Sequence, residues 1–388
     1  MRVLRLGQSL NSISSGIGRN NNFEFSVNTA TAGATTSTQF QLPLVSNGAI
    51  SMDVDWGDGT TDTITTYNQA ETLHTYSVSG IYDIKISNEV RGWQFNNGGD
   101  KAKITNVSNC GELNITEHSA FYGCSNMTWT AVDTPTISNS SLQLTFRDCT
   151  LFNGNINHWD VSGINNIYSI FNECTNFNQP LNNWNVSGVT NMIQVFKGAS
   201  SFDQPLNSWN VSGVTNMNTM FAYASVFDQD LSSWDITNVT SVNSMFEQAT
   251  SFDQDLSSWN VSSVTTMRSM FESATSFDQD LSSWNTSIVT DMTFMFESAT
   301  SFDQDLSSWD IGNVTSMVNF MQNAAISTAN YNALLVGWEA QVPQTGLTTN
   351  FGSSTYDAAP NAAGVAHDSL TAAIPTGYGW TITDGGTA

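Results

Sequence analysis

Aspartate residues recur at fixed intervals in the second half of this sequence. Two columns, two residues apart, contain Asp203, Asp228, Asp253, Asp278 and Asp303, and Asp230, Asp255, Asp280 and Asp305. Residues two apart in an extended segment point to the same side, so we expect both columns on one face. Because hard cations take several carboxylate and carbonyl oxygens as ligands, one interpretation is a ladder of Ca²⁺ sites. The other is a solvated acidic face, since the spacing matches no defined calcium-binding loop.

A tandem repeat of 25 residues positions these aspartates. Tryptophan marks the repeat without a slip, at Trp159, Trp184, Trp209, Trp234, Trp259, Trp284 and Trp309. A fixed period in this range is typical of a solenoid, in which each unit buries its apolar face against its neighbours. Trp184 and Val186 have the spacing of a short strand, and Val189, Met192 and Val195 that of a helical turn. We therefore expect a strand, a turn, a short helix and a return loop in each unit.

The cysteines follow the same repeat. Cys124, Cys149 and Cys174 are 25 residues apart, and alanine continues their column from Ala199 to Ala324. A disulfide or a metal site would not explain the alanines, whereas a column of small buried residues explains both. We therefore predict that the cysteines pack in the core.

Patterns typical of catalysis are missing from the sequence. The four histidines are scattered and form no recognisable triad, and no glycine-rich phosphate loop occurs. A polysaccharide-degrading enzyme that uses the aspartate columns as acid and base is the remaining enzymatic alternative. Glycosidases need two carboxylates in unlike environments, and identical repeated aspartates do not supply them. We predict that the protein is not an enzyme.

The charge of the chain restricts its partners. Among 388 residues, 34 are acidic and 10 basic, which gives a net charge of −24. Such a chain repels nucleic acid and anionic membrane surfaces, and no apolar run is long enough to span a membrane. The first 22 residues are the exception, because they contain Arg2, Arg5 and Arg19 and no acid. We predict that residues 1–22 form a docking arm.

Residues 23–92 alternate apolar and polar side chains. The runs Phe23–Val27, Phe40–Leu44 and Ile50–Trp56 predict a small antiparallel β-sandwich. Within it, the sequence V-D-W-G-D-G-T at 54–60 and the later H-T-Y-S-V-S-G-I-Y at 74–82 resemble the signature of the PKD-type immunoglobulin-like fold. The resemblance implies a spacer or adhesion module.

The repeats carry a second resemblance. The sequence A-F-Y-G-C-S-N-M at 120–127 resembles the A-F-x-x-C-x-x-L segment of BspA-like leucine-rich repeats, and later units are similar to surface-protein repeats of bacteria and mycoplasmas. The predicted fold is mainly β with short helices: a PKD/Ig-like β-sandwich followed by a capped leucine-rich-repeat solenoid of 25-residue repeats. Residues 93–150 are its irregular entry, 151–325 the regular repeats and 326–388 a cap. We expect a helix at Tyr331–Trp338 and a last strand at Gly377–Asp384 in the cap.

These resemblances imply surface recognition through the face of the solenoid, with a host-surface or glycan ligand. No signal peptide or anchor is visible, and the arm is cationic, so we expect a bacteriophage virion protein. It would decorate the head or tail, and residues 1–22 would bind other virion structural proteins or assemble a homo-oligomer. A bacterial cell-surface adhesin is the alternative.

Overall fold

The computed structural model describes residues 20–47 and 50–388, so the predicted docking residues Arg2, Arg5 and Arg19 lie outside the described residues. The described chain is mainly β with few short helices. The strands before the regular repeats are β1 (Phe23–Asn28), β2 (Gln39–Gln41), β3 (Met52–Asp55), β4 (Thr61–Ile64), β5 (Leu73–Thr75), β6 (Ile81–Ser87), β7 (Ile104–Asn109), β8 (Asn114–Ile115), β9 (Thr128–Trp129) and β10 (Thr136–Ile137). After the repeats come α1 (Thr328–Glu339), β11 (Thr348–Asn350), α2 (Ala362–Thr371) and β12 (Thr381–Thr383).

The N-terminal part contains two sheets that face each other. Six strands form the larger sheet in the order β4-β3-β6-β1-β7-β9, and β2 pairs with β5 in the smaller one. The ring centroids of Phe25 in β1 and Phe40 in β2 are 6.0 Å apart, and both side chains are buried. The expected run at 40–44 ends early as a strand because Pro43 has no N–H to donate to a ladder.

The larger sheet continues past residue 92 into the repeats. Strand β7 pairs antiparallel with β1 on one side and parallel with β9 on the other. From β9 onward, the pairings along the repeats are parallel and join segments about one repeat apart. The predicted boundary between sandwich and repeats therefore falls inside one continuous sheet, in which β7 covers the first edge of the stack.

A buried ion pair fixes this junction. The Lys103 Nζ atom lies 3.6 Å from the Asp100 Oδ1 atom, and both side chains are fully buried. Lys103 also donates hydrogen bonds to the carbonyl groups of Thr36 and Gln39, and Asp100 accepts one from the backbone N–H of Gln41. Buried charges are tolerated when they are paired and hydrogen-bonded in this way. The pair thus ties β2 to the segment that leads into β7.

The repeats stack through backbone hydrogen bonds. We count repeat positions from 1 at Ser251 to 25 at Thr275 and number the neighbouring units alike. The backbone N–H groups at positions 17, 19, 21 and 23 donate to the next unit; in this unit the donors are Met267, Ser269, Phe271 and Ser273, at N···O distances of 2.7–2.9 Å. The N–H groups at positions 20 and 22 bond within the unit, three residues back, as Met270 does to Met267 and Glu272 to Ser269.

The predicted short helix in each unit is wrong. No helix occurs between residues 140 and 325, all of which the structure describes. Positions 19 and 23 have left-handed backbones in every unit, with φ of 54° at Ser269 and 58° at Ser273. These two left-handed residues, four positions apart, stop an α-helix from propagating and turn alternate N–H groups toward the next unit.

The predicted strand at Trp184–Val186 is also wrong. The parallel bridge of that unit lies at Asn191, position 16, and residues 184–186 have no strand pairing. The side chain of Asn185 accepts a hydrogen bond from the backbone N–H of Ser187, which closes a tight turn at this point. Trp184 and Val186 are therefore both buried because of a turn, and not because they alternate along a strand.

The apolar columns form the core, as predicted. At positions 2 and 21, phenylalanine rings stack between units: Phe246 lies 4.0 Å from Phe252 and 5.7 Å from Phe271 of the next unit, centroid to centroid. Each repeat tryptophan from Trp184 to Trp309 donates its indole N–H to a carbonyl of the preceding unit, as Trp234 does to Leu206 at 3.0 Å. The columns therefore combine apolar burial with a satisfied buried donor.

The cysteine column is buried, as predicted. Cys110, Cys124, Cys149 and Cys174 are free and fully buried. Burial raises the pKa of the thiols in the column well above the ordinary value. These thiols are therefore packing groups that stay protonated at neutral pH.

The C-terminal segment continues the stack for two more strands. The last unit pairs with β11 through Met317 and Thr349, and β12 pairs parallel with β11. The expected helix is found in α1, where the indole of Trp338 donates to the carbonyl of Leu306 as the repeat tryptophans do. The expected last strand is shorter and lies at β12. Helix α2 was not predicted, because its sequence A-A-G-V-A-H-D-S-L-T has few large apolar residues.

Replacement of Trp234 by phenylalanine is expected to destabilise the stack. The change removes the N–H that satisfies the buried carbonyl of Leu206 and leaves unfilled volume, at a cost of about 1–3 kcal/mol. Urea unfolding followed by circular dichroism measures the shift of the midpoint. Ser251→Ala, at an exposed position of the next unit, is the matched control; equal midpoints for both variants would contradict the assignment.

Candidate ligand-binding face

The side chains at positions 18, 19, 22 and 23 differ from unit to unit, although the core columns hardly change. Position 22 contains Arg147, Asn172, Lys197, Ala222, Glu247, Glu272, Glu297 and Gln322. Backbone groups carry hydrogen bonds between units along this segment, so its side chains can vary without loss of those bonds. We call these four positions, in the units from 126 to 325, the variable face. It is the candidate site.

All three basic residues between 126 and 325 lie on the variable face. Each cation lies near an aromatic ring of a neighbouring unit: Arg147 is 5.3 Å from the ring centroid of Tyr122, and Lys197 is 5.8 Å from that of Tyr223. Arg268 lies 4.9 Å from the ring of Phe294. Cation–π attraction holds such pairs together at a protein surface.

Three glutamates follow one another at position 22. Glu247, Glu272 and Glu297 stand in successive units, and these units stack about 5 Å apart. Partial burial, and then the charge of Glu272, raise the pKa of the Glu297 carboxyl above its ordinary value. The C-terminal half of the variable face is therefore strongly acidic.

A cleft opens in the variable face at Gly198. Position 23 has a side chain in every unit from Asp148 to Asn323 except this one. The resulting cavity of about 390 Å³ is lined by Glu173, Thr175, Lys197, Gly198, Ser200 and Tyr223. Gly198 has φ +69°, and a Cβ atom there would lie 2.6 Å from the carboxylate of Glu173. We call these six residues the Gly198 cleft.

The ring of Tyr223 forms one wall of the cleft. Its side chain is 38% exposed, and its hydroxyl donates a hydrogen bond of 2.6 Å to the Oε1 atom of Glu247. This hydrogen bond raises the pKa of Tyr223 to about 12. The ring is thus held in one orientation by a hydroxyl that stays protonated at neutral pH.

A second cavity lies where the last unit meets the cap. Its volume is about 550 Å³, and its lining includes Gln322, Asn323, Asn350, Gly352 and Ser353. The described residues that line it include neither a charged nor an aromatic side chain. It offers amide and hydroxyl groups only.

The first aspartate column holds adjacent units together. The Oδ1 atom of Asp253 accepts hydrogen bonds from the backbone N–H of Asp278 at 2.9 Å and from the side-chain amide of Gln279 at 2.8 Å. Asp203, Asp228 and Asp278 repeat both contacts in their units, and Asp303 bonds to the cap through Ser327 and Asn330. Asn153 and Asn178 accept the same bonds with amide oxygens. The contact therefore requires an oxygen acceptor, not a charge.

The second column closes turns at the surface. Asp230, Asp255, Asp280 and Asp305 each accept a hydrogen bond from the backbone N–H of the serine two residues later, at 2.8 Å. Hydrogen bonding by Ser232 and Ser257 lowers the pKa of the Asp230 and Asp255 carboxyls. Each exposed carboxylate is thus engaged by its own turn.

The predicted calcium ladder stays a prediction. Nowhere in residues 20–47 and 50–388 do three or more His, Cys, Asp or Glu side chains converge in a group that could hold a metal ion. Both columns instead have hydrogen-bonding roles that a sequence cannot distinguish from metal ligation. The sequence analysis did not predict the variable face, although a comparison of the units position by position would have shown which positions vary.

Comparison with known proteins identifies the repeats. The profile of the family described as "Mycoplasma protein of unknown function, DUF285" matches residues 140–256 and again 227–334. The two matches together cover half of the chain. No curated protein matches the sequence. Within the described residues, helices are too short or too polar to cross a membrane.

Asp253→Asn is expected to leave stability nearly unchanged, whereas Asp253→Ala is expected to lower it. Asparagine keeps the oxygen acceptor that Asn153 and Asn178 supply, and alanine loses two hydrogen bonds, at a cost of about 1–2 kcal/mol. Thermal unfolding with 2 mM EDTA or with added CaCl₂ measures both effects. A melting temperature that rises with Ca²⁺ in the wild type but not in Asp253→Asn would instead establish the calcium ladder.

Glu297→Gln is expected to raise the melting temperature at pH 7 but not at pH 3. A raised pKa means that the charged carboxylate is disfavoured in the folded state, so its contribution to stability is full below the unfolded pKa and is lost as the pH rises through the folded pKa. Glutamine removes that loss. Scanning calorimetry at both pH values measures the melting temperatures, and Gln322→Glu, which adds a carboxylate at the same repeat position, is the comparison. A higher melting temperature of Glu297→Gln at pH 3 as well would point to another cause.

Proposed function

This chain belongs to the family described as Mycoplasma protein of unknown function, DUF285, and from that premise we propose that it is a non-enzymatic surface protein that attaches its carrier to a host or glycan surface. The family is of the BspA-like, surface-type repeat kind. A surface location and a role in attachment fit an acidic chain whose repeats differ on one face.

The variable face carries this proposal. Seven stacked units with nearly constant Phe, Leu and Trp columns would suffice for a structural spacer. Sequence differences concentrated at positions 18, 19, 22 and 23, where backbone bonds already supply the stacking, are the pattern of a scaffold that presents a binding surface. We propose that the stack is a leucine-rich-repeat solenoid closed by α1, β11, α2 and β12.

The N-terminal sheets are proposed to be a PKD-like spacer. The glycines of the W-G-D-G-T turn, Gly57 and Gly59, have φ of +77° and +91°. Asp58 accepts hydrogen bonds from Thr60 and His74, and these lower its pKa although burial acts in the opposite direction. The imidazole of His74 also stacks on Trp56 at 4.6 Å. The signature residues therefore support one another in a rigid turn.

Non-enzymatic action is supported by the aspartate columns. Four successive carboxylates of the first column accept the same two kinds of hydrogen bond from the next unit. An acid and a base of a glycosidase require unlike environments. We therefore favour adhesion over polysaccharide degradation as the function.

For the setting, we propose the surface of a bacteriophage virion, with the bacterial cell surface as the alternative. The support is the charge contrast between residues 1–22, with Arg2, Arg5 and Arg19, and the acidic remainder. A cationic arm can bind an acidic surface of another virion protein while the acidic repeats stay clear of it.

Mass spectrometry of density-purified, salt-washed phage particles and of washed cell envelopes from the same cultures tests the setting. We expect a fixed ratio of this protein to the major capsid protein in particles. Recovery in envelopes alone would establish the bacterial adhesin, and recovery only in the soluble lysate would overturn the surface function. In particles that carry Arg2, Arg5 and Arg19 all changed to Gln, the protein is expected to be lost on the salt wash.

A further inference from the structure

We propose that the Gly198 cleft is a saccharide subsite that binds one or two neutral sugar units of the glycan, with a sugar ring stacked on Tyr223. This inference rests on the proposed function, because it identifies the chemical class of the ligand and the residues that select it. Neither the repeat pattern nor the family assigns this cleft.

The first support is the shape of the cleft. Gly198 is the single gap in a column of side chains, between Glu173 in the unit before and Tyr223 in the unit after. The carboxylate of Glu173 lies where a Cβ atom at Gly198 would be, so any larger residue there would displace that side chain. A volume of about 390 Å³ lies within the range of small-molecule sites. The cleft is therefore preformed.

The second support is the aromatic wall. A pyranose presents a face of C–H groups that packs on an aromatic ring, while its hydroxyl groups point outward to polar partners. The hydrogen bond from Tyr223 to Glu247 fixes the ring before a ligand arrives, so binding does not have to order it. Tyr223 is the only tyrosine at position 23 of the eight units.

The third support is the set of polar groups around that ring. The carboxylate of Glu173 is an acceptor. The ammonium group of Lys197, 5.8 Å from the centroid of the Tyr223 ring, is a donor at one side of that ring and has no carboxylate within 4.0 Å among the described residues. Thr175 and Ser200 add hydroxyl groups that can donate and accept. Neighbouring hydroxyls of a sugar need this mixture, because each is both donor and acceptor.

Charge selects a neutral sugar over an acidic one. Lys197 is the single cation of the cleft, whereas Glu173 lines it and Glu247 and Glu272 stand in the next two units after Tyr223. The chain as a whole has a net charge of −24. A uronate or sulfated sugar would meet this negative potential, whereas a neutral hexose would not.

Isothermal titration calorimetry of the full chain tests the inference with six probes. The neutral ones are maltohexaose, cellohexaose and mannohexaose, and the acidic ones are oligogalacturonate, oligoalginate and a heparin hexasaccharide. We expect the wild type to bind at least one neutral oligosaccharide and none of the acidic ones. Tyr223→Ser should weaken that binding about tenfold or more, which corresponds to about 1.4 kcal/mol.

Two matched variants keep the result interpretable. Serine stands at position 23 in Ser273 and Ser298, so Tyr223→Ser is compatible with the fold, and its melting temperature verifies this. Gln248→Ser introduces serine at position 23 of the next unit, and this variant should bind as the wild type does. Gln322→Ala, in the cavity beside the cap, should also leave binding unchanged.

The outcomes separate the cleft from the proposed function. Binding to acidic probes alone, no binding to any neutral probe, or wild-type affinity in Tyr223→Ser would each overturn the saccharide subsite. Loss of affinity in Gln322→Ala but not in Tyr223→Ser would place the sugar in the cap cavity instead. The particle and envelope measurements do not depend on the cleft, so the surface function stands or falls by them.

Discussion

The structure depends on backbone hydrogen bonds that join each unit to the next. N–H groups at positions 17, 19, 21 and 23 donate to carbonyls of the following unit, and those at positions 20 and 22 bond within the unit. This alternation requires a left-handed residue at positions 19 and 23, where asparagine, serine, tyrosine and glutamate are all found. The cost of a left-handed backbone at these residues is offset by the bonds that it directs. Side chains are thereby released from the task of holding the stack together.

This division explains why the chain can be conservative inside and variable outside. The columns of Phe, Trp and Leu fill a core in which each ring contacts its counterparts one unit away, so a change in one unit affects its neighbours. On the variable face the backbone hydrogen bonds between units do not depend on the side chain, so residues as different as Arg147, Ala222 and Glu272 occupy position 22. Cation–π pairs such as that of Arg268 and Phe294 involve side chains only and leave the backbone hydrogen bonds between units intact. The side chains of this face can therefore change without loss of the backbone hydrogen bonds that join the units.

The sequence predicted the period, the buried columns and the capping helix because burial imposes a repeat that can be read directly. The strand and the short helix that it predicted in each unit are absent from residues 140–325, which the structure describes in full. Apolar residues at positions 14, 17, 20 and 21 have helical spacing, but that spacing here results from turns with left-handed residues, which ordinary propensities do not reveal. The aspartates were recognised as a column but not as acceptors for the next unit. The Gly198 cleft depends on the absence of one side chain, and only the stacked structure shows which neighbours enclose that space.

The aspartate column illustrates how a repeat can be mistaken for a ligand site. Successive carboxylates about 5 Å apart repel one another, which by itself suggests a bridging cation. However, each Oδ1 atom receives a backbone N–H and a glutamine amide from the next unit, so the protein supplies the positive dipoles that a metal would otherwise provide. Asn153 and Asn178 perform the same task without charge at the start of the column. The acidity of the later units is thus not needed for stacking.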